Sequence, residues 1–291
     1  MNYTFEVTED DGGERIDSYL GRVAPEYSRS FWQKQAEAGA VKINDVAVKS
    51  KQKVQNGDLV TVVTPEAPDF TDKTFPVIYQ DDDVIVVNKP TGVLTHAKGV
   101  VSEEFTVAEF VRPLTTDGVE TNRPGIVHRL DRGTSGVIIA ARTPEAKRWL
   151  QKQFALRKVK KTYIALVKGT PKEASAILQL PIERNPKKPQ TFRVASNGKP
   201  AETAYETIAN YKGYTLLKLM PHTGRTHQLR VHLNYLGCPI VGDELYGKAE
   251  PKLGRMFLHA ASLEITTPAR ERKVFTAPLP PELEMYLKTL K

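Results

Sequence analysis

Cysteine is almost absent from the sequence, and this scarcity excludes several classes of structure. Cys238 is the only cysteine in 291 residues, so no internal disulfide and no zinc finger can form. No apolar run approaches the roughly 20 residues that a membrane-spanning helix needs. The first ten residues have neither a basic segment nor an apolar one. We therefore expect no secretion signal and a cytoplasmic location.

Acidic residues are in the minority. The chain has 34 Asp and Glu against 42 Lys and Arg, a net charge of +8 and an isoelectric point near 9.3. This balance favours a polyanionic partner, most simply a nucleic acid, although many basic proteins bind none. Hydrophobic residues make up 40% of the chain, which is enough for a real core. The choice of partner therefore depends on the motifs.

The chain divides into three stretches, and none of them contains a repeat or a low-complexity tract. Residues 13–63 form a small module. Residues 64–76 include PEAPDFTDKTFP, a polar segment rich in proline, and are predicted to be a linker. Residues 77–291 have the pattern of one larger domain. A length of 291 residues suits two domains.

The small module has the pattern helix, helix, hairpin. Apolar residues recur at helical spacing in ERIDSYLGRVA. A second helix begins in SRSFWQKQAEAG, where Ser28 or Ser30 can cap it and Gly39 ends it. The turn of the hairpin falls at Asn44-Asp45. This surface either binds nucleic acid or is an ordinary solvated face, and it carries the basic residues Arg22, Arg29, Lys34, Lys49, Lys51 and Lys53.

The larger domain mixes strands and helices without regular alternation. DDVIVVNKPTG, KTYIALVKG, ETAYETIANY and YTLLKLMP have strand patterns. A helix is predicted from about Thr143, and another in HQLRVHLNYLG that ends at Gly237. This irregular order predicts an α+β fold rather than a doubly wound one.

The first candidate site lies in PGIVHRLDRGTSGVIIAAR. Asp131 stands between Arg129 and Arg132, just before a buried apolar run at 137–141. Neighbouring arginines favour an ionised carboxylate, and a carboxylate held rigidly can attack carbon or accept a proton without a metal. Asp131 could equally cap a turn and pair with either arginine. The local sequence leaves both interpretations open.

The second candidate is PHTGRTHQLRVHL. His222, His227 and His232 are five residues apart and do not share a helix face, and no acidic or cysteine ligand is near, so we expect no metal site. Arg225 and Arg230 suit an anion or a carboxylate, because arginine binds both with a bidentate fork. The alternative is an ordinary amphipathic helix.

The third candidate is a basic block that precedes Tyr163. One-sided charge of this kind favours phosphate backbones. Tyr163 is either a stacking platform for an unstacked base or a core residue, and by itself a strand tyrosine is more often core. Against the single acid Glu145, the block contains Arg142, Lys147, Arg148, Lys152, Arg157, Lys158, Lys160 and Lys161.

Taken together, these blocks resemble the RluA-type pseudouridine synthases, which isomerise uridine in ribosomal or transfer RNA. The resemblance runs through DDVIVVNKPTGVLTH, VHRLDRGTSGVII, KKTYIALVKG, TGRTHQLRVHLNYLGCPIVGDELYG and FLHAASLEI, in that family's order. It implies a catalytic fold with a central mixed, mostly antiparallel sheet flanked by helices. The module at 13–63 looks like the alpha-L RNA-binding domain, a small α+β domain.

The resemblance also implies roles for four residues. Asp131 matches the family's catalytic aspartate, and Arg129 matches the arginine that enters the RNA helix where the target uridine leaves. Tyr163 matches the tyrosine that stacks on the flipped base and serves in proton transfer. Arg230 matches the basic residue that pairs with the aspartate.

Further implications concern RNA contacts and partners. Arg225 and Arg132 are expected to contact RNA, and Leu258 to form an apolar wall of the base pocket. We expect RNA as the partner, no metal, no cofactor, no membrane and a monomer. The chain departs from the family at Ala97-Lys98, where many members have proline. The role of that loop is open.

Three alternatives remain at this stage. The N-terminal module favours ribosomal RNA as the substrate, and transfer RNA is the alternative. A catalytically silent RNA-binding or ribosome-assembly factor would share the basic surface but would not need Asp131. A base-excising glycosidase would need a second carboxylate, and the only obvious one, Asp243 in GDELYG, is predicted to cap a turn.

Overall fold

The computed structural model describes two compact units. The described residues are 2–63, 68–97 and 102–290, so part of the predicted linker at 64–76, and Lys98, lie outside them. The first unit comprises Met1–Lys73, His96–Pro113 and Gly118–Pro124, and the second comprises Thr74–Thr95, Leu114–Asp117 and Gly125–Lys291.

The first unit is a four-stranded antiparallel sheet packed against helices. Buried Tyr19 and Trp32, one from each of its first two helices, lie in a core that also contains Val41 and Val60. In chain order its elements are β1 (Asn2–Glu6), α1 (Ile16–Val23), α2 (Arg29–Glu37), β2 (Val41–Ile43), β3 (Val46–Ala47), β4 (Leu59–Val63) and α3 (Val107–Val111). The strands pair in the order β1-β4-β2-β3, which confirms the predicted two helices and hairpin.

The second unit is built on a nine-stranded sheet. Its strands, with a separate two-stranded ribbon formed by β10 and β11, are β5 (Val77–Gln80), β6 (Val84–Lys89), β7 (Ser135–Ala141), β8 (Lys160–Lys168), β9 (Ser175–Gln179), β10 (Ile182–Arg184), β11 (Phe192–Val194), β12 (Glu202–Tyr211), β13 (Tyr214–Pro221), β14 (Leu258–Thr266) and β15 (Arg272–Thr276). The sheet order is β5-β6-β7-β14-β8-β13-β12-β9, and β15 pairs with β14. The β7–β14 pair is parallel, and the other pairs of this sheet are antiparallel.

Helices pack on this sheet through apolar residues. Leu150 of α4 (Pro144–Ala155) packs with strand residues of β6, β7 and β14. Leu233 of α5 (Gln228–Tyr235) and Leu283 of α6 (Pro281–Lys288) join a core formed with β8 and β13. The predicted α+β fold, with a mixed and mostly antiparallel sheet flanked by helices, is confirmed. In the described part of the chain, no helix has the length and apolar character needed to cross a membrane.

Local signals placed the helix ends and turns correctly. Ser28 caps α2 by accepting a hydrogen bond from the Phe31 backbone N–H, and Thr143 caps α4 in the same way. Asn44 and Asp45 both have positive φ, as a tight hairpin turn requires.

Gly136 is the second residue of β7 and permits a close approach between two backbones. Its φ is +114°, and a Cβ built there would lie 2.1 Å from the carbonyl oxygen of Ala260. Gly136 and Ala260 are register partners in the parallel β7–β14 pair. A side chain at this position would push β7, and the loop before it, away from β14.

Gly136→Ala is expected to lower the free energy of unfolding by more than about 2 kcal/mol, because the backbone contact and the positive φ both oppose a side chain. Urea denaturation measures this change. Gly133→Ala is the matched control: its Cβ would make an ordinary contact of 3.5 Å with Met256, so a loss below about 1 kcal/mol is expected. Equal losses in the two variants would contradict the steric argument.

Candidate active site

Asp131 lies in a turn that leads directly into β7. The Thr134 backbone N–H donates to the carbonyl oxygen of Asp131 at 3.0 Å. Its carboxylate is partly exposed, at 20%, and lines a cavity of about 510 Å³. The buried strand after the turn fixes the backbone from which the carboxylate extends, so this side chain is held at the cavity wall.

Side chains of the NKPTGVLT segment form hydrogen bonds with the backbone of the Asp131 turn. The buried Lys89 ammonium donates to the carbonyl oxygens of Pro90 at 2.9 Å, Val93 at 2.8 Å and Arg132 at 3.4 Å. The Thr95 hydroxyl exchanges hydrogen bonds with the backbone of Leu130. Burial lowers the pKa of Lys89 to about 7, and the negative charge of Asp131 opposes that shift. Lys89 is therefore a positioning residue for the Asp131 turn.

His128 anchors the other side of the same segment. Its Nε2 accepts a hydrogen bond from the Ile139 backbone N–H at 3.1 Å, and its ring stacks on Phe154 with centroids 4.7 Å apart. Burial lowers the pKa of His128 to about 3. The ring is therefore neutral and structural, and it joins the chain before Asp131 to β7 and α4.

Arg230 joins Asp131 to a second, fully buried carboxylate. Its Nη1 donates to Asp131 Oδ2 at 3.3 Å, while Nε and Nη2 donate to Asp243 at 2.7 and 2.8 Å. Burial by itself lowers the pKa of Arg230, but the hydrogen bonds and charge of Asp243 and the charge of Asp131 raise it overall. Asp131 Oδ1 accepts no hydrogen bond from the residues described. Oδ2 is thus oriented by Arg230, and Oδ1 is left without a hydrogen bond from the described part of the chain.

Asp243 also caps the turn of GDELYG, as predicted. Its Oδ1 accepts from the backbone N–H groups of Leu245 at 3.0 Å and Tyr246 at 3.2 Å. Its side chain is 0% exposed, so Asp243 has no access to a water molecule in the cavity. The role in orienting Arg230 was missed because turn chemistry is local, whereas this ion pair depends on the tertiary fold.

His227 is a second residue that the motifs did not single out for this site. Its backbone is left-handed, with φ +57°, and its Nε2 is 3.9 Å from Asp131 Oδ2. The Tyr246 hydroxyl lies 2.9 Å from His227 Nδ1 and accepts from the Phe192 backbone N–H. Burial lowers the pKa of His227. A neutral ring that accepts from Tyr246 at Nδ1 carries its proton on Nε2, towards Asp131.

The cavity walls come from strands β8 and β14. Tyr163 pairs with Ala260 across these strands, and Leu258 lies two residues earlier on β14. Both residues line the cavity, and Tyr163 is half-buried there while also packing against the core. Burial and the charge of Asp131 raise the pKa of the Tyr163 hydroxyl, which keeps it protonated. A planar ligand between an aromatic ring and an apolar wall is favoured there.

Positive charge surrounds the cavity. Lys161 is half-buried, donates to the Thr223 carbonyl oxygen at 3.1 Å, and has its pKa lowered by burial to about 8. Arg225 is exposed and donates to the Pro200 carbonyl oxygen. Arg129 is exposed at the wall and forms no hydrogen bond or ion pair within the described ranges. Asp131 is the one carboxylate among the described residues that line this cavity.

Six of the seven predicted site residues line one cavity. They are Asp131, Tyr163, Arg230, Arg129, Arg225 and Leu258. Arg132 instead donates to the Gly92 carbonyl oxygen behind the turn. The local alternative for Asp131 was a pair with Arg129 or Arg132, but its closest ion pair is with Arg230, 99 residues away. Across the described residues, no cluster of three His, Cys, Asp or Glu side chains is placed to hold a metal.

The chain is similar to RNA-modifying enzymes along almost its whole length. The RNA pseudouridylate synthase family model matches residues 83–235. The ribosomal large subunit pseudouridine synthase C of Vibrio vulnificus is 35% identical, over 98% of this chain and 96% of its own. The ribosomal large subunit pseudouridine synthase D of Nitrosomonas europaea is 34% identical, over 99% of this chain and 88% of its own.

Solved structures with a similar fold carry related names. Human RNA pseudouridylate synthase domain containing 4 superimposes with a TM-score of 0.60 at 27% identity, covering 74% of this chain and 92% of its own. Human RNA pseudouridylate synthase domain containing 1 has a TM-score of 0.58 at 28% identity, covering 75% of this chain and 94% of its own.

Proposed function

The chain belongs to the RNA pseudouridylate synthase family, and from this membership we propose that it converts specific uridines of large-subunit ribosomal RNA to pseudouridine, with Asp131 as the catalytic group. The activity of an RNA pseudouridine synthase follows from the family. The single observation that supports the proposed site is the geometry of Asp131, which lines a cavity rimmed by cations while Arg230 donates to its Oδ2.

The proposed reaction begins when one uridine leaves the RNA stack and enters the cavity. Extrusion costs a few kcal/mol, and less for a base in a loop than in a paired stem. The bond between the ribose carbon and ring nitrogen N1 breaks, and a bond from the same ribose carbon to ring carbon C5 forms. The C5 proton is lost and N1 gains one, so the product is an isomer and no oxidant is consumed.

Asp131 starts this exchange by one of three routes. It attacks the ribose carbon, attacks the uracil ring, or removes a proton from the sugar. Each route needs a carboxylate with one oxygen available to react, and Arg230 donates to the other oxygen at 3.3 Å. Arg129, exposed at the cavity wall, is proposed to enter the RNA helix in place of the flipped base. Arg225 and Arg132 are proposed to contact RNA, and Leu258 to pack against the uracil.

Tyr163→Phe is expected to reduce kcat by about 10²-fold or more while KM changes by less than about threefold, because it removes the proton-transfer hydroxyl but keeps the stacking ring. Single-turnover and steady-state measurements of pseudouridine formation separate the two constants. Tyr163→Leu, which also removes the ring, is expected to raise KM. A Phe variant with full kcat would restrict Tyr163 to stacking.

Ribosomal RNA is proposed as the substrate because the relatives named above are ribosomal large subunit enzymes. Transfer RNA is the alternative within the same family. Unmodified transcripts of both RNA classes, incubated separately with the protein and assayed for pseudouridine, distinguish them. Mapping pseudouridines that are missing from a strain without the gene identifies the position. Ribosomal RNA as substrate also implies a cytoplasmic protein, and we propose that it acts as a monomer.

The reaction products test the proposal against the other classes of protein. Pseudouridine without free uracil is the expected result. Free uracil would indicate a base-excising glycosidase, for which Asp243 would have to reach the cavity despite being fully buried. Neither product, with tight RNA binding, would indicate a non-catalytic RNA-binding or assembly factor.

A further inference from the structure

Helix α4 ends in a backbone arrangement that normally contains glycine. Arg157 occupies the position after the helix cap, with φ +56°. Its N–H donates to the carbonyl oxygen of Phe154, and the N–H of Lys158 donates to that of Gln153. These two bonds define the helix-ending motif in which glycine is preferred, because a Cβ disfavours the left-handed conformation.

An arginine in the left-handed conformation is unusual, and the other non-glycine residues with positive φ indicate why it occurs here. Asn44 and Asp45 form a hairpin turn that suits their side chains, and the guanidinium of Arg270 stacks on Trp149 at 3.8 Å. Both remaining residues, His227 and Arg157, line the Asp131 cavity. Backbone strain of this kind concentrates at functional sites. Within the described chain, the residues other than glycine with positive φ are Asn44, Asp45, Arg157, His227 and Arg270.

No contact of the Arg157 side chain with the described residues offsets this strain. It is exposed, and no hydrogen bond, ion pair or ring contact joins it to any other described residue. Among the other cations of the cavity, Arg230 is neutralised by two carboxylates, and Lys161 and Arg225 donate to carbonyl oxygens. Arg129 is exposed without such a partner in the described ranges, but its backbone does not have a positive φ. Arg157 therefore presents an uncompensated charge at the cavity rim, three residues before β8 begins.

We infer that the Arg157 guanidinium binds a phosphate of the RNA backbone at the mouth of the Asp131 cavity. The left-handed backbone fixes where the side chain starts, and the guanidinium fork matches two phosphate oxygens. This inference rests on the proposed function, because the phosphate is that of the RNA substrate. It assigns to Arg157 a role in binding rather than in the chemical step.

Arg157→Gly tests this role because it relieves the strain and removes the charge together. The probe is an unmodified in vitro transcript of bacterial large-subunit ribosomal RNA, bound at several salt concentrations in a filter-retention assay. We expect affinity to fall about five- to tenfold and the slope of log affinity against log salt to become shallower by about 0.7 to 0.9, the value for one phosphate contact. The urea midpoint is expected to equal or exceed that of the wild type.

Three further variants make the comparison specific. In Arg157→Asn, the asparagine adopts the left-handed conformation readily but carries no charge. Its RNA affinity and salt slope are expected to match those of Arg157→Gly. Arg157→Lys keeps the charge and is expected to keep the salt slope. Arg270→Gly makes the same change where the arginine is occupied by Trp149, so its salt slope is expected to equal that of the wild type.

An unchanged affinity and slope in Arg157→Gly, with an active wild type, would overturn the inference alone. A lower urea midpoint in that variant would also overturn it, because the side chain would then have a structural role. A wild type that forms no pseudouridine, while Arg157→Gly still loses one phosphate from the salt slope, would overturn the proposed function alone.

Discussion

Asp131→Asn is expected to reduce pseudouridine formation by at least about 10⁴-fold, the scale of loss when the group that attacks or accepts a proton is removed. The amide has the same shape as the carboxylate, but it is neither a nucleophile nor a base at neutral pH. The measurement is pseudouridine formed in a single turnover on the RNA transcript that the wild type modifies.

The surroundings of Asp131 make this variant a clean test. Arg230 keeps its two hydrogen bonds to Asp243, so no buried charge loses its main partner. We expect the free energy of unfolding to change by less than about 1 kcal/mol. We also expect RNA affinity to stay near the wild-type value. Such a result would show that the variant loses the chemical step and not RNA binding. Substantial activity in a folded, RNA-binding Asn variant would remove Asp131 from the reaction.

Asp243→Asn is expected to lower the free energy of unfolding by about 3 to 5 kcal/mol, the usual result when one partner of a buried ion pair is removed. The carboxylate is fully buried and accepts from Arg230 twice and from the Leu245 and Tyr246 backbones. Its loss leaves the Arg230 charge with Asp131 alone, at 3.3 Å. Urea denaturation measures the change in stability.

The same variant is expected to lose activity even where it remains folded. Arg230 no longer has the two bonds that orient it, so the Asp131 carboxylate loses its fixed position. We expect kcat to fall by about 10²-fold or more, measured at a temperature well below the melting point of the variant. The double variant Arg230→Met with Asp243→Leu removes both charges, so it should regain much of the stability and none of the activity.

Glu145→Gln provides the comparison for a surface ion pair. Arg148 Nη2 lies 2.6 Å from Glu145 Oε1, but the two side chains are 68% and 73% exposed. The loss in the free energy of unfolding is therefore expected to stay below about 1 kcal/mol. If Asp243→Asn cost no more than Glu145→Gln, burial of the Arg230–Asp243 pair would not contribute to the fold.

Local features of the fold were accessible from the sequence because neighbouring residues produce them. Ser28 and Thr143 cap helices with their own side chains, and the run after Asp131 forms a strand because its seven residues are all apolar or small. The hairpin at Asn44-Asp45 follows from the positive φ that these residues tolerate. The resemblance of the ordered motifs to one family added the identity of the cavity residues.

Contacts between distant residues were not accessible in the same way. Periodicity and turn chemistry describe a window of about 11 to 18 residues. The sheet order β7-β14-β8, in contrast, pairs residues as far apart in sequence as Ser135 and His259, or Ala165 and Leu258. Lys89 was part of a recognised motif, but its contact with the Arg132 carbonyl oxygen depends on the fold. Nothing in the sequence around His227 indicates that it lies near Asp131. In the fold its backbone is left-handed and its Nε2 lies 3.9 Å from Asp131 Oδ2.

The sequence by itself determined the α+β class, the turn that carries Asp131 and the basic charge of the chain. The tertiary structure alone decided which cation holds that carboxylate. Arg129 and Arg132 are nearer in sequence, but Arg132 donates to the Gly92 carbonyl oxygen and Arg129 forms no ion pair with a described residue. Arg230 is the arginine that pairs with Asp131. Arg230 reaches it because α5 is packed on the sheet and Asp243 fixes its guanidinium in place.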